Sequence, residues 1–217
     1  MRTFFTFLLV LIIVAAVIIY FLPSTIHIEK TMVLKAAPEP VFQYINATGE
    51  WNKWAAWLQQ DPSNKITFNG PESGAGAALN WNSQVPDTKT GNVLIQTSQP
   101  YSQLKADINF DIYGKSNNTF LLENTGNGTK ITWTIDLNVI GWMNKIKALS
   151  WKSKIDSWMD ASLKNLDQAT ANAPNVQQPS ASDTLKYRLD TLSKSVDSLK
   201  NSANKKDTII RADSIPK

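Results

Sequence analysis

The chain has 217 residues, which suits one domain of ordinary size with extensions, and it contains no cysteine and a single histidine, His27. This composition excludes disulfides, a cysteine nucleophile, thiolate metal sites and any site that needs two imidazoles. The net charge of +4 does not indicate a nucleic-acid surface, because eight Lys or Arg and five Asp lie from Ala171 onward, and the rest of the chain holds 14 basic and 13 acidic residues that are scattered.

The first predicted element is an apolar helix, and residues 1–25 are interpreted as a membrane anchor with a short linker. Phe4 to Leu22 is apolar or aromatic apart from Thr6 and would rise about 28 Å as a helix, close to the thickness of a hydrocarbon core. No small-x-small cleavage site follows it, which favours an uncleaved span over a secretory signal. The short basic amino terminus favours a cytoplasmic start, so we expect a single-pass membrane protein with an extracytoplasmic bulk domain, periplasmic in a bacterium.

One strand and two short helices are predicted after the anchor. Ile26 to Leu34 alternates as a strand, and prolines suited to the first turn of a helix precede Val41 to Ile45. A second helix is predicted from Thr48 to Leu58, with three tryptophans at three-residue steps. We interpret these tryptophans as a buried aromatic plug rather than a binding surface, because tryptophan mostly supplies core area. They are Trp51, Trp54 and Trp57.

A run of about five or six antiparallel strands is predicted next. Apolar and polar residues alternate most clearly from Leu104 to Ile112, and Lys130 to Asn138 repeats the pattern after the turn at Thr125 to Gly128. The glycine-rich segment Gly70 to Gly76 lacks the lysine and the following helix of a phosphate loop, so its glycines indicate a turn and a bulge. Gly141 to Thr170 is predicted to be one long helix with an apolar stripe, and this order of elements predicts an α+β fold with its helices on one face of an antiparallel sheet.

The order of these segments across Ile26 to Thr170 resembles the helix-grip fold of the START and birch-pollen-allergen superfamily. It is most similar to the polyketide cyclase/dehydrase-like branch, often labelled SRPBCC. The segments that carry the resemblance are Ala36 to Phe42, Trp51 to Trp54, Gly74 to Trp81, Gly128 to Trp133 and the long final helix.

In that family a curved antiparallel sheet grips the last helix and leaves a hydrophobic cavity for apolar small molecules such as lipids and polyketides. The resemblance therefore implies a ligand-binding domain over residues 26–170, with a cavity between the helix and the inward side chains of the sheet. The alternative is that these side chains fill the space completely. The candidates for the lining are Phe68, Leu79, Trp81, Ile108, Phe110, Phe120, Leu122, Trp133, Ile135, Trp158 and Met159.

No catalytic residue of the family's cyclases can be matched in this sequence, so the resemblance does not extend to their activity, and we expect no cofactor or metal. The carboxylates are interpreted as solvated surface, because they lie on the polar parity of the strands and the polar face of the final helix. They are Asp107, Asp111, Asp136, Asp156 and Asp160.

The carboxyl-terminal tail is predicted to have three parts. Residues 171–182 are rich in Pro, Gln, Asn and Ser and indicate a linker. Residues 183–201 carry leucine and valine at alternating spacings of four and three, which favours a short coiled coil, although just over two heptads suit a lone amphipathic helix equally well. Residues 202–217 are predicted to be disordered.

Three functions are compatible with this sequence. The first is a membrane-anchored binding protein for a hydrophobic small molecule or lipid, held in the cavity by burial of apolar area. The second is an assembly module that forms an oligomer through the coiled-coil tail. The third is a polyketide cyclase/dehydrase-like enzyme, which would need a polar group buried in the cavity.

Overall fold

The structure, a computed structural model, describes residues 2–171 together with Leu189 and Ser193. Over residues 2–171 it contains four α-helices, one short 3₁₀-helix and seven strands. Their bounds are α1 Arg2–Phe21, β1 Thr25–Leu34, α2 Pro38–Asn46, the 3₁₀-helix Thr48–Glu50, α3 Trp51–Trp54, β2 Lys65–Asn69, β3 Ala78–Asn82, β4 Thr90–Gln99, β5 Gln103–Phe110, β6 Gly114–Asn124, β7 Thr129–Asn138 and α4 Trp142–Thr170.

The predicted parts of the tail, residues 171–182, 183–201 and 202–217, lie outside the described residues except for Ala171, Leu189 and Ser193. Leu189 and Ser193 are helical. The oligomer expected from the tail therefore stays a prediction.

The strands form one antiparallel sheet in the order β1-β7-β6-β5-β4-β3-β2. Strands β2 to β7 follow one another as neighbours, and β1 lies beside β7, with Thr25 opposite Asn138 and Leu34 opposite Thr129. We call the end of the sheet at which Thr25 and Asn138 pair the α1 end, because α1 immediately precedes Thr25. This arrangement confirms the predicted α+β fold with a long carboxyl-terminal helix.

Alternation along the strands gives the sheet one apolar face, as the sequence pattern predicts. In β5 and β7 every second side chain is buried, and the residues between them are polar or partly exposed. An apolar face of this kind is stable only when another element covers it. The buried side chains are Leu104, Ala106, Ile108 and Phe110 in β5, and Ile131, Trp133, Ile135 and Leu137 in β7.

Helix α4 covers this face with the stripe expected from its three-and-four spacing. The buried side chains of the stripe are Ile155, Trp158, Met159, Ser162, Leu163 and Leu166.

The carboxyl-terminal half of α4 is tied to its neighbours by polar contacts. Lys30 Nζ of β1 lies 2.9 Å from Asp156 and 3.1 Å from Asp160, and these carboxylates raise the pKa of the lysine through hydrogen bonds, Asp156 most strongly. The backbone N–H of Lys35 donates to Asp167 Oδ1 at 2.8 Å. Asp156 and Asp160 lie at the surface, with side chains 40% and 49% exposed, and in addition they pair with Lys30 of β1.

The amino-terminal half of α4 is held more weakly. Its Lys154 pairs with Asp87 at 2.5 Å, but both side chains are partly exposed, and surface ion pairs contribute little to stability. The ring of Trp151 meets the ring of Tyr113 edge-on, with centroids 5.0 Å apart. The buried stripe from Ile155 to Leu166, together with the hydrogen bonds of Ser162 and Asp167 to the backbone of Ala56 and Lys35, therefore holds α4 mainly through its carboxyl-terminal half.

Helix α1 is long and apolar enough to cross a bilayer, by its length and composition. The stretch Thr3–Phe21 has a mean hydropathy of 3.0, and none of it is buried against the rest of the structure. The connection from α1 to the sheet is short, and two hydrogen bonds fix it. Lys145 Nζ donates to the Leu22 carbonyl at 3.0 Å, and Val139 N donates to the Ser24 carbonyl at 2.8 Å. The carboxyl end of α1 therefore lies beside the start of α4.

The second short helix is shorter than predicted. Helix α3 ends at Trp54 because Ala55 takes an extended conformation, with φ −70° and ψ 102°, so Trp57 and Leu58 follow in turns. Both are nevertheless buried. The tertiary packing of the tryptophans, not helix periodicity, accounts for this burial.

Asp61 fastens the loop after α3 to the β3–β4 connection. Its Oδ1 accepts hydrogen bonds from the hydroxyl and backbone N–H of Ser63 at 2.6 and 2.8 Å, and its Oδ2 accepts from Ser83 Oγ at 2.9 Å and Gln84 N at 2.7 Å. These donors, the Ser63 hydroxyl first, hold the pKa of Asp61 well below its ordinary value of 3.8.

We predict that Asp61→Asn lowers stability in a pH-dependent way. The folded-state pKa is depressed, so the carboxylate stabilises the fold fully above pH 3.8 and loses this contribution as the pH falls towards the folded pKa. Urea unfolding should show a lower midpoint for the variant at neutral pH and a gap to wild type that narrows in acid. The exposed Asp111→Asn is the control, and a gap that does not change with pH would contradict the assignment.

Candidate functional site

A small cavity lies between the inner face of the sheet and α4. Its volume is about 20 Å³, room for roughly one water molecule. The lining comes from the sheet, α4 and the segment after α3. The lining residues are Trp57, Ile108, Phe110, Tyr113, Gly114, Ser116, Asn118, Trp133, Ile135, Leu137, Ile155, Trp158 and Met159.

Six of the eleven candidates from the sequence line this cavity. They are Ile108, Phe110, Trp133, Ile135, Trp158 and Met159. Four others are buried in the core without lining it: Leu79, Trp81, Phe120 and Leu122.

Phe68, the remaining candidate, does not line the cavity. It lies opposite Leu79 in the ladder and so shares its face of the sheet. It is nevertheless 55% exposed, because β2 is the edge strand and leaves this side chain uncovered. The alternation along a strand predicts which face of the sheet a side chain lies on, but it does not predict which part of that face the helix covers.

Aromatic rings fill most of the space that the resemblance implies for a ligand. Trp51 and Trp54 are fully buried, and Phe120 stacks on Trp133 with centroids 4.9 Å apart. Trp57 joins the same cluster, 6.1 Å from Trp133. The interpretation of the three tryptophans as a buried plug is confirmed, and the alternative of a nearly filled interior describes this structure well.

A chain of neutral polar groups lies on the sheet side of the cavity. The Trp133 indole N–H donates to Asn118 Oδ1 at 3.0 Å, Asn118 Nδ2 donates to Ser116 Oγ at 3.0 Å, and Ser116 Oγ donates to the Ile108 carbonyl at 3.0 Å. All these side chains are buried, so the chain fixes the indole of Trp133 against the cavity. Each of these groups is uncharged.

The indole N–H of Trp57 is a buried donor without a protein acceptor. Trp57 lines the cavity and is almost completely buried. Leaving such a donor unpaired costs about 1–3 kcal/mol.

Tyr113 closes the cavity against the amino-terminal half of α4. Its ring meets Trp151 at 5.0 Å and Trp158 at 5.8 Å, and Trp158 in turn stacks on Phe110 at 5.7 Å. Burial, followed by the charge of Asp87, raises the pKa of Tyr113 to about 12. The phenol is therefore neutral at physiological pH and available for hydrogen bonding.

The cavity lies towards the α1 end of the sheet. Ser116 pairs with Leu137 and Gly114 pairs with Phe110, and all four residues line the cavity. Leu137 is one residue before Asn138, which lies opposite Thr25. The cavity therefore faces the part of the molecule where α1 and the start of α4 meet.

The sequence reasoning missed the polar lining. Asn118 shares the inward parity of Phe120 and Leu122, which was the available signal, but its polarity argued against burial. Ser116 has the same parity in β6 and is likewise polar. Trp57 and Tyr113 lie in turns, for which strand and helix periods carry no information.

The lining offers binding chemistry and no acid–base pair. Among the lining residues Tyr113 alone is ionisable, since no Asp, Glu, Lys, Arg or His is present there. In the part of the chain that the structure describes, no three His, Cys, Asp or Glu side chains come together as metal ligands.

Comparison with solved structures identifies the architecture. A protein of unknown function from Staphylococcus aureus superposes with a TM-score of 0.54 at 12% identity, covering 69% of this chain and 95% of its own. The chain has the helix-grip fold. Norcoclaurine synthase from Thalictrum flavum, in complex with dopamine and hydroxybenzaldehyde, gives 0.53 at 14% identity over 70% of this chain and 90% of its own.

A third helix-grip structure is similar over half of its length. The di-domain ARO/CYC protein StfQ from the steffimycin biosynthetic pathway gives a TM-score of 0.53 at 10% identity, covering 70% of this chain and 53% of its own. No protein-family model and no curated protein matches the sequence. At these identities the likeness establishes the fold, the SRPBCC type expected from the sequence.

We predict that Trp158→Ala opens a binding site within this helix-grip domain. Removing a buried Trp side chain costs about 3–5 kcal/mol and leaves an apolar hole. Added indole should fill the hole and raise the thermal unfolding midpoint of the variant, measured by circular dichroism of the full chain in detergent. Trp142→Ala removes an exposed indole from the same helix, and an equal effect of indole on both variants would contradict the placement of Trp158.

Proposed function

We propose that the protein is a membrane-anchored binding protein for an apolar small molecule or lipid, which residues 26–170 hold between the sheet and α4. The observation that carries the proposal is the position of the cavity, at the α1 end of the sheet and lined by apolar and uncharged polar groups. Such a lining suits an uncharged molecule, whose binding is stabilised by the burial of its apolar area. One helix-grip neighbour was crystallised with two small aromatic molecules, dopamine and hydroxybenzaldehyde, which supports a small-molecule ligand for this fold.

The polar groups of the lining restrict the proposed class of ligand to neutral molecules with a hydrogen-bond acceptor. The Trp57 N–H needs an acceptor, and the neutral Tyr113 phenol can donate or accept. A carbonyl, ester or ether group within an otherwise apolar molecule satisfies these requirements. A free carboxylate or ammonium would be desolvated without a counter-charge among the lining residues.

Binding requires the cavity to widen. A volume of about 20 Å³ is far below the roughly 300–1,000 Å³ of ordinary ligand pockets. The part of the wall that can yield is the amino-terminal half of α4, because the buried stripe and the hydrogen bonds to the backbone of Lys35 and Ala56 lie from Ile155 onward. Outward movement of Trp151 from Tyr113 joins the cavity to the α1 end.

The proposed anchor is α1, with the amino terminus in the cytoplasm and the helix-grip domain on the other side. Its apolar stretch matches the thickness of a bilayer and is unburied. Only Leu22, Pro23 and Ser24 separate it from β1. The cavity therefore faces the bilayer from which a lipid or another apolar molecule would be taken.

We predict that long-chain apolar compounds stabilise the full chain. A ligand that binds only the folded state raises the unfolding midpoint by mass action. The compounds to compare in detergent are a methyl ketone and an alkane of equal length, with the ketone bound about fivefold more tightly through one hydrogen bond of about 1 kcal/mol. Ile155→Phe should abolish both shifts, because it fills the cavity from α4.

Two further variants make this experiment decisive. Val33→Phe, an enlargement at an exposed position of β1, should keep both shifts. Trp57→Phe removes the indole donor and should erase the preference for the ketone while preserving the response to the alkane. Absence of any stabilisation in wild type, or equal responses of Ile155→Phe and Val33→Phe, would rule out binding at this site.

A further inference from the structure

We propose that the beginning of α4 is a second membrane contact, which lays the helix-grip domain against the bilayer that α1 enters. The contact is a lipid-facing patch made of Ile140, Trp142, Met143 and Ile146. This inference rests on the proposed anchoring by α1, and it adds a specific face of the domain to it.

The patch combines four large apolar side chains within seven consecutive residues. Ile140 is 82% exposed, Trp142 61%, Met143 57% and Ile146 44%. Trp142 and Met143 precede Ile146 by four and three residues, so the three share one face of the helix. A contiguous exposed apolar surface of this kind indicates a binding surface.

The patch lies beside the carboxyl end of α1. Lys145, between Met143 and Ile146, donates from Nζ to the Leu22 carbonyl at 3.0 Å. Ile19 and Tyr20 of α1 form an open groove with Gly141, Trp142 and Lys145. If Phe21 ends a membrane span, the patch is at the height of the lipid headgroups.

The residues of this region have the chemistry of a membrane interface. Tryptophan is favoured at the headgroup level, where its ring is half in apolar surroundings. Lysines accompany it at positions 145, 147, 152 and 154, and the first carboxylate of the helix is Asp156. Apolar side chains with neighbouring lysines suit an anionic leaflet, into whose headgroup region such helices insert by about 5–10 Å.

A second copy of the chain is the competing occupant of the patch. Pairing two copies through this face would bring their lysines at 145 and 147 together, which is unfavourable for like charges. The bilayer, in contrast, is already held beside the patch by the short connection from α1. Charge and position therefore both favour lipid.

The patch also indicates the side from which a ligand would enter the cavity. It belongs to the loosely held half of α4, the same half that carries Trp151 against Tyr113. Contact of this half with lipid places the closure of the cavity at the bilayer surface. An apolar molecule could then pass between bilayer and cavity without crossing water.

Because the sequence contains no cysteine, a single introduced cysteine can be labelled specifically to test the patch. Met143→Cys and Ile146→Cys carry an environment-sensitive NBD fluorophore within the patch. Asn127→Cys carries it in the exposed β6–β7 hairpin, one strand length away, about 30 Å. The full-length chains are reconstituted into vesicles of equal parts phosphatidylcholine and phosphatidylglycerol, with or without a nitroxide on the acyl chains.

We expect the nitroxide lipid to quench the fluorophore at positions 143 and 146 several-fold more than at position 127. Equal quenching at the three positions, in chains that float with the vesicles, would overturn the patch and leave the anchor intact. A fluorophore shielded from water but unquenched by lipid would assign the patch to a second copy instead. Chains that do not float would overturn both anchor and patch, whereas ligand binding is measured separately and does not affect these outcomes.

Discussion

The covering of the apolar inner face of the sheet by α4 is the constraint on which the rest of the structure depends. Burial of the stripe from Ile155 to Leu166 supplies the apolar contact. Lys30 of β1 pairs with Asp156 and Asp160, and the backbone N–H of Lys35, just after β1, donates to Asp167. These ties lie in one half of the helix. The other half is left to contacts at the α1 end, and the cavity lies against the middle of the helix, at Ile155, Trp158 and Met159.

The size of the side chains determines how much of the interior remains open. In a close-packed interior, rings as large as Trp51, Trp54 and Phe120 occupy the volume that a ligand would need. The remaining space lies next to Trp57, Asn118 and the middle of α4. The polar groups kept there are uncharged, which fits recognition of a neutral apolar molecule and provides no acid–base chemistry from the lining.

The sequence predicted the fold in detail where the pattern of one element determines its environment. The strand alternation predicted from Leu104 to Ile112 is found from Leu104 to Phe110, where β5 ends in a turn, and the stripe of α4 is found as predicted. The site was predicted only in part, because its geometry depends on contacts between distant segments. Parity could not show that Phe68 lies beyond the helix, and no local pattern brings Trp57 and Tyr113 to one cavity.

The central claim is that α4 is fixed from Asp156 onward and opens before it to admit a ligand. The most direct measurement is the distance between spin labels at positions 111 and 147, with a control pair at positions 35 and 164, in the full chain with and without a bound methyl ketone. All four positions are exposed, which suits labelling. The account predicts that ligand lengthens the first distance and leaves the second unchanged. Binding without a change in the first distance, or with equal changes in both, would contradict it.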